Sequence, residues 1–277
     1  PNGRTELNPR NSQYRDIITK PTYAISEVLH KVFPFLTPNE VTVLGSLGLA
    51  GLIMYTAKLE EANKIDAKTG KKLLSLFLAL TATDALDGAL ARYLQSKDIE
   101  YSGKEIGPEV DSSFDRIQEA FSAWLAIYRA AHQKDKLWLV TATLTALSNP
   151  LSSLFRAYAE KNGIIVPESG KNPFEFLGTR GGRFIGSTTR FLPSIPVGPV
   201  SVQAVVDGLT AAATLKTTAS RANTVIRAKR DGVEKQSMAD EKTIISAQRR
   251  FKLLAALTVL TTSITGIVLY KSLHQKS

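Results

Sequence analysis

Three long uncharged stretches constrain this chain more than anything else in it: Val41–Ala57 with 17 residues, Leu137–Phe155 with 19 and Leu253–Tyr270 with 18. A helix that crosses the hydrocarbon layer of a bilayer needs roughly 20 apolar residues, with a range of about 17–25. Shorter uncharged runs lie between them, at Leu73–Thr83, Ala120–Tyr128, Phe191–Val206 and Gly208–Leu215, and each stops at an ionisable residue. Buried helices of a soluble protein can also be apolar all round, and the mean hydropathy of −0.05 is that of an ordinary soluble chain. Averages hide segregation, so the placement of charge has to decide.

Charge placement favours a membrane. The stretch Lys216–Lys252 carries ten Lys and Arg against four Asp and Glu and lies between two apolar runs. The bias of Lys and Arg toward cytoplasmic loops puts this segment in the cytoplasm. His132–Lys136 and Lys58–Lys72 should then face the other side, although the second is itself basic, with five Lys against three acids. Residues Tyr14–Phe35 set Ile17, Ile18, Ile25, Val28, Leu29, Val32 and Phe33 among charges, which predicts an amphipathic helix on the cytoplasmic face. The start of the chain shows no apolar core of a cleavable signal peptide. Gly163–Phe184, rich in Gly, Pro and charge, reads as a loop, and Pro193, Pro196 and Pro199 fit a hairpin returning through the membrane. No alternating pattern competes, so the predicted class is an all-α polytopic membrane bundle.

Composition removes several chemistries. The chain has no cysteine, hence no disulfide, thiolate metal site or Cys nucleophile. Its three histidines, His30, His132 and His274, are far apart, which disfavours a His-rich zinc site. The net charge of +10 raises nucleic acid as a partner. The basic residues cluster beside apolar spans with few aromatics among them, so an anionic bilayer surface is the more economical partner and no nucleic acid is expected.

The chemistry collects in two short segments. Asp84 and Asp87, three residues apart, share a helix face with Gly88, Ala91 and Arg92, while Gly107, Asp111 and Asp115 are spaced by four. An ionised carboxylate inside a membrane domain is costly and needs a partner or a purpose. One Asp pair could simply mark a helix end meeting water, but that explains neither the second pair nor the glycines. Four carboxylates together would repel and most would protonate unless cations joined them. Two divalent cations balance four negative charges, and oxygen-only ligands suit Mg²⁺ or Mn²⁺ rather than zinc. Paired metals clamp phosphoryl groups. The small Gly88, Ala91 and Gly107 leave room for a base or pyrophosphate, and Arg92 would neutralise phosphate. A membrane cation carrier would use intramembrane carboxylates too, but has no need of the glycines and Arg92 at fixed spacing.

The pattern Asp84-x2-Asp87-Gly88-x2-Ala91-Arg92, followed by Gly107-x3-Asp111-x3-Asp115, resembles the signature of the CDP-alcohol phosphotransferases. Fourteen residues, Tyr93–Ile106, separate its halves where that family usually has about eight, and this polar insert reads as a longer cytoplasmic loop. Leu36-Thr-Pro38-Asn39-Glu-Val-Thr42 resembles the opening of the family's first membrane helix. Asp111-Ser-Ser-Phe-Asp115-Arg116 and Phe155-Arg156-Ala-Tyr158-Ala-Glu160 are similar to segments of phosphatidylinositol-phosphate synthases, with Tyr158 where those have Arg. Arg180 and Arg183, three apart, and Arg221 also match.

The resemblance implies transfer of a phosphatidyl-type group from a CDP-linked lipid such as CDP-diacylglycerol to a phosphorylated alcohol, inositol phosphate first, with release of CMP. A phosphatidylglycerophosphate synthase or an archaeal-lipid equivalent is the nearest alternative. It further implies that Asp84, Asp87, Asp111 and Asp115 are metal ligands, that Asp115 is the general base, and that Gly88, Ala91, Arg92 and Gly107 line the CDP moiety. Arg156, Arg180, Arg183 and Arg221 would hold the acceptor phosphate. It also implies a homodimer and six core helices in residues 38–230. Residues 1–37 would form a cytoplasmic N-terminus, and 231–277 a basic loop with an additional C-terminal helix.

Overall fold

The computed structural model describes residues 23–164, 166, 172–231 and 241–274. Nine α-helices are found among them: α1 over 23–32, α2 (Pro38–Glu61), α3 (Ala67–Ser96), α4 (Gly107–His132), α5 (Lys136–Lys161), α6 (Pro173–Leu177), α7 (Arg180–Thr188), α8 (Val202–Asp231) and α9 (Glu241–His274). The all-α bundle expected from the sequence is what forms. Of the amphipathic segment, 14–22 lies outside the described residues. The rest is α1 and the following turn, with Ile25, Val28, Val32, Phe33 and Phe35 exposed.

Local chemistry sets the helix starts. Thr37 and Glu40 form a reciprocal capping box, Glu40 N–H donating to Thr37 Oγ1 at 3.3 Å and Thr37 N–H to Glu40 Oε2 at 2.7 Å, with Pro38 in the first turn. Asp66 caps α3 by accepting the Thr69 N–H at 2.7 Å, a bond that holds its pKa below the usual carboxylate value. Asp135 caps α5 by accepting the Trp138 N–H at 2.9 Å. The glycine-rich stretch after Gly163, expected as a loop, contains α6 and the start of α7, because Asn172 and Thr179 each cap the turn that follows.

The chain runs up and down. α4 packs on α2, α5 and α9; α5 packs on α8 and α9; α3 lies against α2. Close approach rests on small residues: Ala123, Ala126 and Ala130 of α4 meet Ala142 and Ala146 of α5 and Ala204 of α8 around Trp138. A second cluster joins Leu49 and Leu52 of α2, Leu73 and Phe77 of α3, Leu125 of α4 and Phe191. At Gly45, a Cβ would stand 2.0 Å from Thr83 Oγ1, so a larger residue would force the Thr83 side chain or the crossing of α2 and α3 to shift.

Among the described residues α2, α3 and α9 are long and apolar enough to cross a membrane. The expected span at Leu137–Phe155 forms α5, which falls outside that set. Its buried side mixes the apolar Trp138, Ala142 and Ala146 with the polar Thr145, Ser148, Asn149 and Ser152. Leu47, Met54, Leu76, Val140, Val259, Leu260 and Ile267 all point outward. Water would not tolerate so broad an apolar surface on a monomer, and lipid does. The chain is a membrane protein.

The segment expected to form a membrane hairpin instead folds compactly. After α7 come a 3₁₀ turn (Thr189–Phe191) and a two-stranded hairpin in which β1 (Pro196–Val197) pairs antiparallel with β2 (Val200–Ser201). Two buried ion pairs hold it. Arg190 Nη2 and Nε donate to Asp207 Oδ1 at 2.6 and 3.2 Å, and Trp138 Nε1 donates to Asp207 Oδ2 at 2.9 Å. Arg129 Nε donates to Glu60 Oε2 at 2.7 Å, and its Nη1 reaches the carbonyls of Arg190 and Leu192 at 2.6 and 2.8 Å. With no full-length helix between α5 and α8, the C-terminal helix expected as an addition is the sixth long helix described, beside α2, α3, α4, α5 and α8.

Candidate functional site

The up-and-down order brings the start of α2, the second half of α3, the starts of α4 and α9 and the ends of α5 and α8 to one end of the bundle. The loops 62–66 and 133–135, with the buried Arg129 and Arg190 pairs, lie at the other end. Polar side chains predicted as functional are therefore gathered by topology, and the network that secures the hairpin reaches toward them through Ser122 and Ser187, which Arg190 contacts.

One cavity lies at the first end and a second extends from it toward the middle of the bundle. One, of about 460 Å³, is lined by Asp84, Asp87, Gly88, Ala91 and Arg92 of α3, by Gly107 of α4, and by Asn39 and Thr42 of α2. The other, of about 420 Å³, is lined by Asp84 of α3, by Asp115, Gln118 and Glu119 of α4, and by the apolar Leu49, Phe77 and Phe184. Asp84 borders both, so the cavities adjoin there. All four residues predicted to line the CDP moiety thus line one cavity with two of the predicted metal ligands.

Each functional group has a structural setting. Asp87 is buried, and Thr42 Oγ1 donates to its Oδ2. Arg92 is exposed and folds back over its own helix: a Cβ added at Gly88 would lie 3.3 Å from Arg92 Nη1. Gly103 turns the chain into α4 with φ of 79°, and its carbonyl accepts from Asn39 Nδ2 at 3.0 Å, which ties the loop to α2. The expected loop insert is shorter than Tyr93–Ile106, since α3 continues to Ser96 and buries Tyr93 and Leu94 against Val41 and Leu90. Gln118 Nε2 donates to Ser46 Oγ at 2.9 Å and fixes α4 against α2. Asp111 lies one turn before Asp115 on α4, with its side chain outside the described residues. Among the described residues no three acidic or histidine side chains form an ion cluster. The donor set that borders the cavities is oxygen-only, which fits a hard divalent cation.

The arginines form a separate group beside the second cavity. Arg183 of α7 is buried, with Nε donating to Glu119 Oε1 at 3.1 Å and Nη1 to the Gly178 carbonyl at 2.7 Å. Arg116 Nη1 donates to the other oxygen of Glu119 at 2.7 Å, and its Nη2 lies 3.7 Å from Asp115 Oδ2. Arg221 of α8 donates through Nη1 to the Ser152 hydroxyl and carbonyl at 2.8 and 2.7 Å. Its guanidinium lies in electrostatic range of Arg156, Arg183 and Arg116, with Glu160 opposing them. Arg156 is exposed and donates through Nε to Glu160 Oε1 at 2.8 Å. Arg180 is the first residue of α7, and its side chain lies outside the described residues.

Sequence reasoning named Glu160 only as a motif position and did not single out Glu119, which with it organises these arginines, nor the Arg129–Glu60 and Arg190–Asp207 pairs. The signal for the pairs was present: Arg129, Arg190 and Asp207 are the residues at which the short uncharged runs stop. Nothing in the sequence told a run that ends in water from one that ends on a buried partner.

A family model described as CDP-alcohol phosphatidyltransferase matches residues 35–181, which contain both aspartate segments. No curated protein matches the chain in sequence. Two crystal structures of phosphatidylinositol phosphate synthase (PgsA1) from Mycobacterium tuberculosis share its fold at 22% identity and a TM-score of 0.55. The one in complex with manganese and citrate covers 74% of this chain and 88% of its own; the one with CDP-DAG bound covers 74% and 92%.

Proposed function

Because the chain belongs to the CDP-alcohol phosphatidyltransferase family, we propose that it moves a phosphatidyl-type group from CDP-diacylglycerol to a phosphorylated alcohol and releases CMP. One observation carries the reading: Asp84 stands where two cavities adjoin, one lined by Asp87, Gly88, Ala91, Arg92 and Gly107, the other by Asp115. The first suits a nucleotide and its pyrophosphate. The second, apolar on one side and acidic on the other, suits a lipid phosphate meeting a soluble acceptor.

Asp84, Asp87, Asp111 and Asp115 would hold two divalent cations, Mg²⁺ or Mn²⁺, a reading supported by the oxygen-only donors and by the manganese bound to the PgsA1 neighbour. Bound there, the ions supply charge neutralisation for the pyrophosphate and the departing CMP. Arg92 neutralises phosphate beside the small Gly88, Ala91 and Gly107, which leave the nucleotide space. Asp115 removes the proton from the acceptor hydroxyl. The hydroxyl oxygen bonds to the β-phosphorus, the bond from that phosphorus to the bridging oxygen breaks, and CMP departs with the bond's electrons. Arg156, Arg180, Arg183 and Arg221 hold the acceptor phosphate, so the acceptor is oriented by charge rather than by shape. Inositol phosphate is the proposed acceptor, and glycerol 3-phosphate the second. Residues 38–230 form the catalytic domain, flanked by 1–37 and by 231–277. The site faces the cytoplasm of a multi-pass protein, by the charge of Lys216–Lys252, and two copies associate as a homodimer.

The test is CMP release from CDP-diacylglycerol with the full chain in detergent, with each acceptor in turn. Release is expected to require an acceptor, to stop with chelator and to return with Mg²⁺ or Mn²⁺. Acceptor-independent release or none at all would overturn the reading. Metal flux through vesicles without CMP would point to a carrier instead.

A further inference from the structure

α9 lies beyond the span matched by the family model, and nothing so far gives it work beyond packing. It is docked at both ends. Trp124 Nε1 of α4 donates to Thr265 Oγ1 at 3.2 Å. At the site end, Lys161 Nζ stands 3.5 Å from the centre of the Phe251 ring, and the Tyr158 ring lies 5.8 Å from it. Next to Phe251, Arg250 Nη2 donates to Glu160 Oε2 at 3.0 Å. The other oxygen of that buried carboxylate accepts from Arg156 Nε at 2.8 Å.

We propose that α9 is a wall of the acceptor site, with Arg250 as a positioning residue that shares Glu160 with Arg156 and sets the direction of the Arg156 guanidinium. The inference rests on the acceptor-phosphate reading above. A carboxylate facing a single arginine favours a two-point, fork-to-fork bond. With Oε2 taken by Arg250, the hydrogen bond from Arg156 is made by Nε, which leaves its terminal nitrogens unbonded to Glu160. Arg156 is half exposed and carries much rotamer freedom, so without this division it would close on Glu160 or point into water. A second observation indicates an anion here. The Nε–H groups of Arg221 and Arg250 are buried with no acceptor among the described residues, and buried donors are nearly always satisfied. Arg250 therefore adds a fifth guanidinium to Arg116, Arg156, Arg183 and Arg221, around the two carboxylates of Glu119 and Glu160.

The experiment compares acceptor and CDP-diacylglycerol KM values in CMP release by the detergent-solubilised full chain, with inositol phosphate and glycerol 3-phosphate as acceptors. Arg250→Ala is expected to raise the acceptor KM roughly ten-fold while the CDP-diacylglycerol KM moves less than about two-fold. Arg250→Lys, which keeps the charge, should recover part of the loss. Thr265→Val cuts the other tether of α9 and should leave both KM values alone. If Arg221→Ala raises the acceptor KM and Arg250→Ala does not, the role of α9 is refuted and the pocket stands. Equal shifts of both KM values in Arg250→Ala, or an effect matched by Thr265→Val, also refute it as mere packing. Unchanged acceptor KM in Arg221→Ala, or no turnover with either acceptor, overturns the pocket itself and the inference with it.

Discussion

Asp207 offers the sharpest quantitative test of the fold. It is 0% exposed, and its carboxylate receives Arg190, itself 1% exposed, and the indole N–H of the fully buried Trp138. Asp207→Ala leaves a buried guanidinium without its counter-charge, which costs about 3–5 kcal/mol. It also orphans the Trp138 N–H, worth about 1–3 kcal/mol. The two act through one side chain and do not add fully, so a loss of about 4–6 kcal/mol is expected. Arg190 keeps Ser122 Oγ at 3.0 Å and Ser187 Oγ at 3.3 Å, which are neutral and cannot replace the carboxylate. The double variant Arg190→Met with Asp207→Leu removes both charges and leaves mainly the indole donor unsatisfied, a loss of about 1–3 kcal/mol. It should therefore be more stable than the single variant, an inversion that additive contacts cannot give. Reversible unfolding in mixed micelles, followed by tryptophan fluorescence, reads both. A single variant within about 1 kcal/mol of the parent, or a double variant less stable than Asp207→Ala, would refute a buried charge pair worth several kcal/mol to break.

Other outcomes follow from the same geometry. Asp115→Asn should retain CDP-diacylglycerol binding while turnover falls by roughly two to four orders of magnitude, read as CMP release. At Gly182, an added Cβ would lie 2.2 Å from the Phe176 carbonyl oxygen and 2.3 Å from Leu177 Cα, both backbone. Gly182→Ala should therefore cost about 1–3 kcal/mol in unfolding and, by shifting the neighbouring Arg183, raise the acceptor KM. Asp135→Ala removes both the α5 cap and the acceptor of the Ser201 hydroxyl at 2.6 Å. It should cost about 1 kcal/mol or somewhat more by the same unfolding assay, with both KM values unchanged.

Much of the candidate site was legible along the chain because its spacing is a helix property. Asp84, Asp87, Gly88, Ala91 and Arg92 need only one helix to share a face, and α3 supplies it, so residue type and interval suffice. The apolar stretches likewise announced α2 and α9, since spanning lipid demands length and composition that a sequence displays directly. The end of the bundle on which a charge finds its partner is a different kind of fact. Arg129 meets Glu60 across 69 residues, Arg190 meets Asp207 across the hairpin, and Arg250 meets Glu160 across 90. In sequence Arg129, Arg190 and Asp207 read as places where an apolar run stops, whether water or a partner of opposite charge waits there, and nothing along the chain points from Arg250 to Glu160. The proline-rich stretch shows the same limit: its apolar length fits a span, yet the buried arginines beneath it hold a turn and a hairpin instead. Intervals within a helix are set by the covalent chain, so residues alone determine them. Pairings between helices depend on which faces pack, and only the tertiary structure decides those.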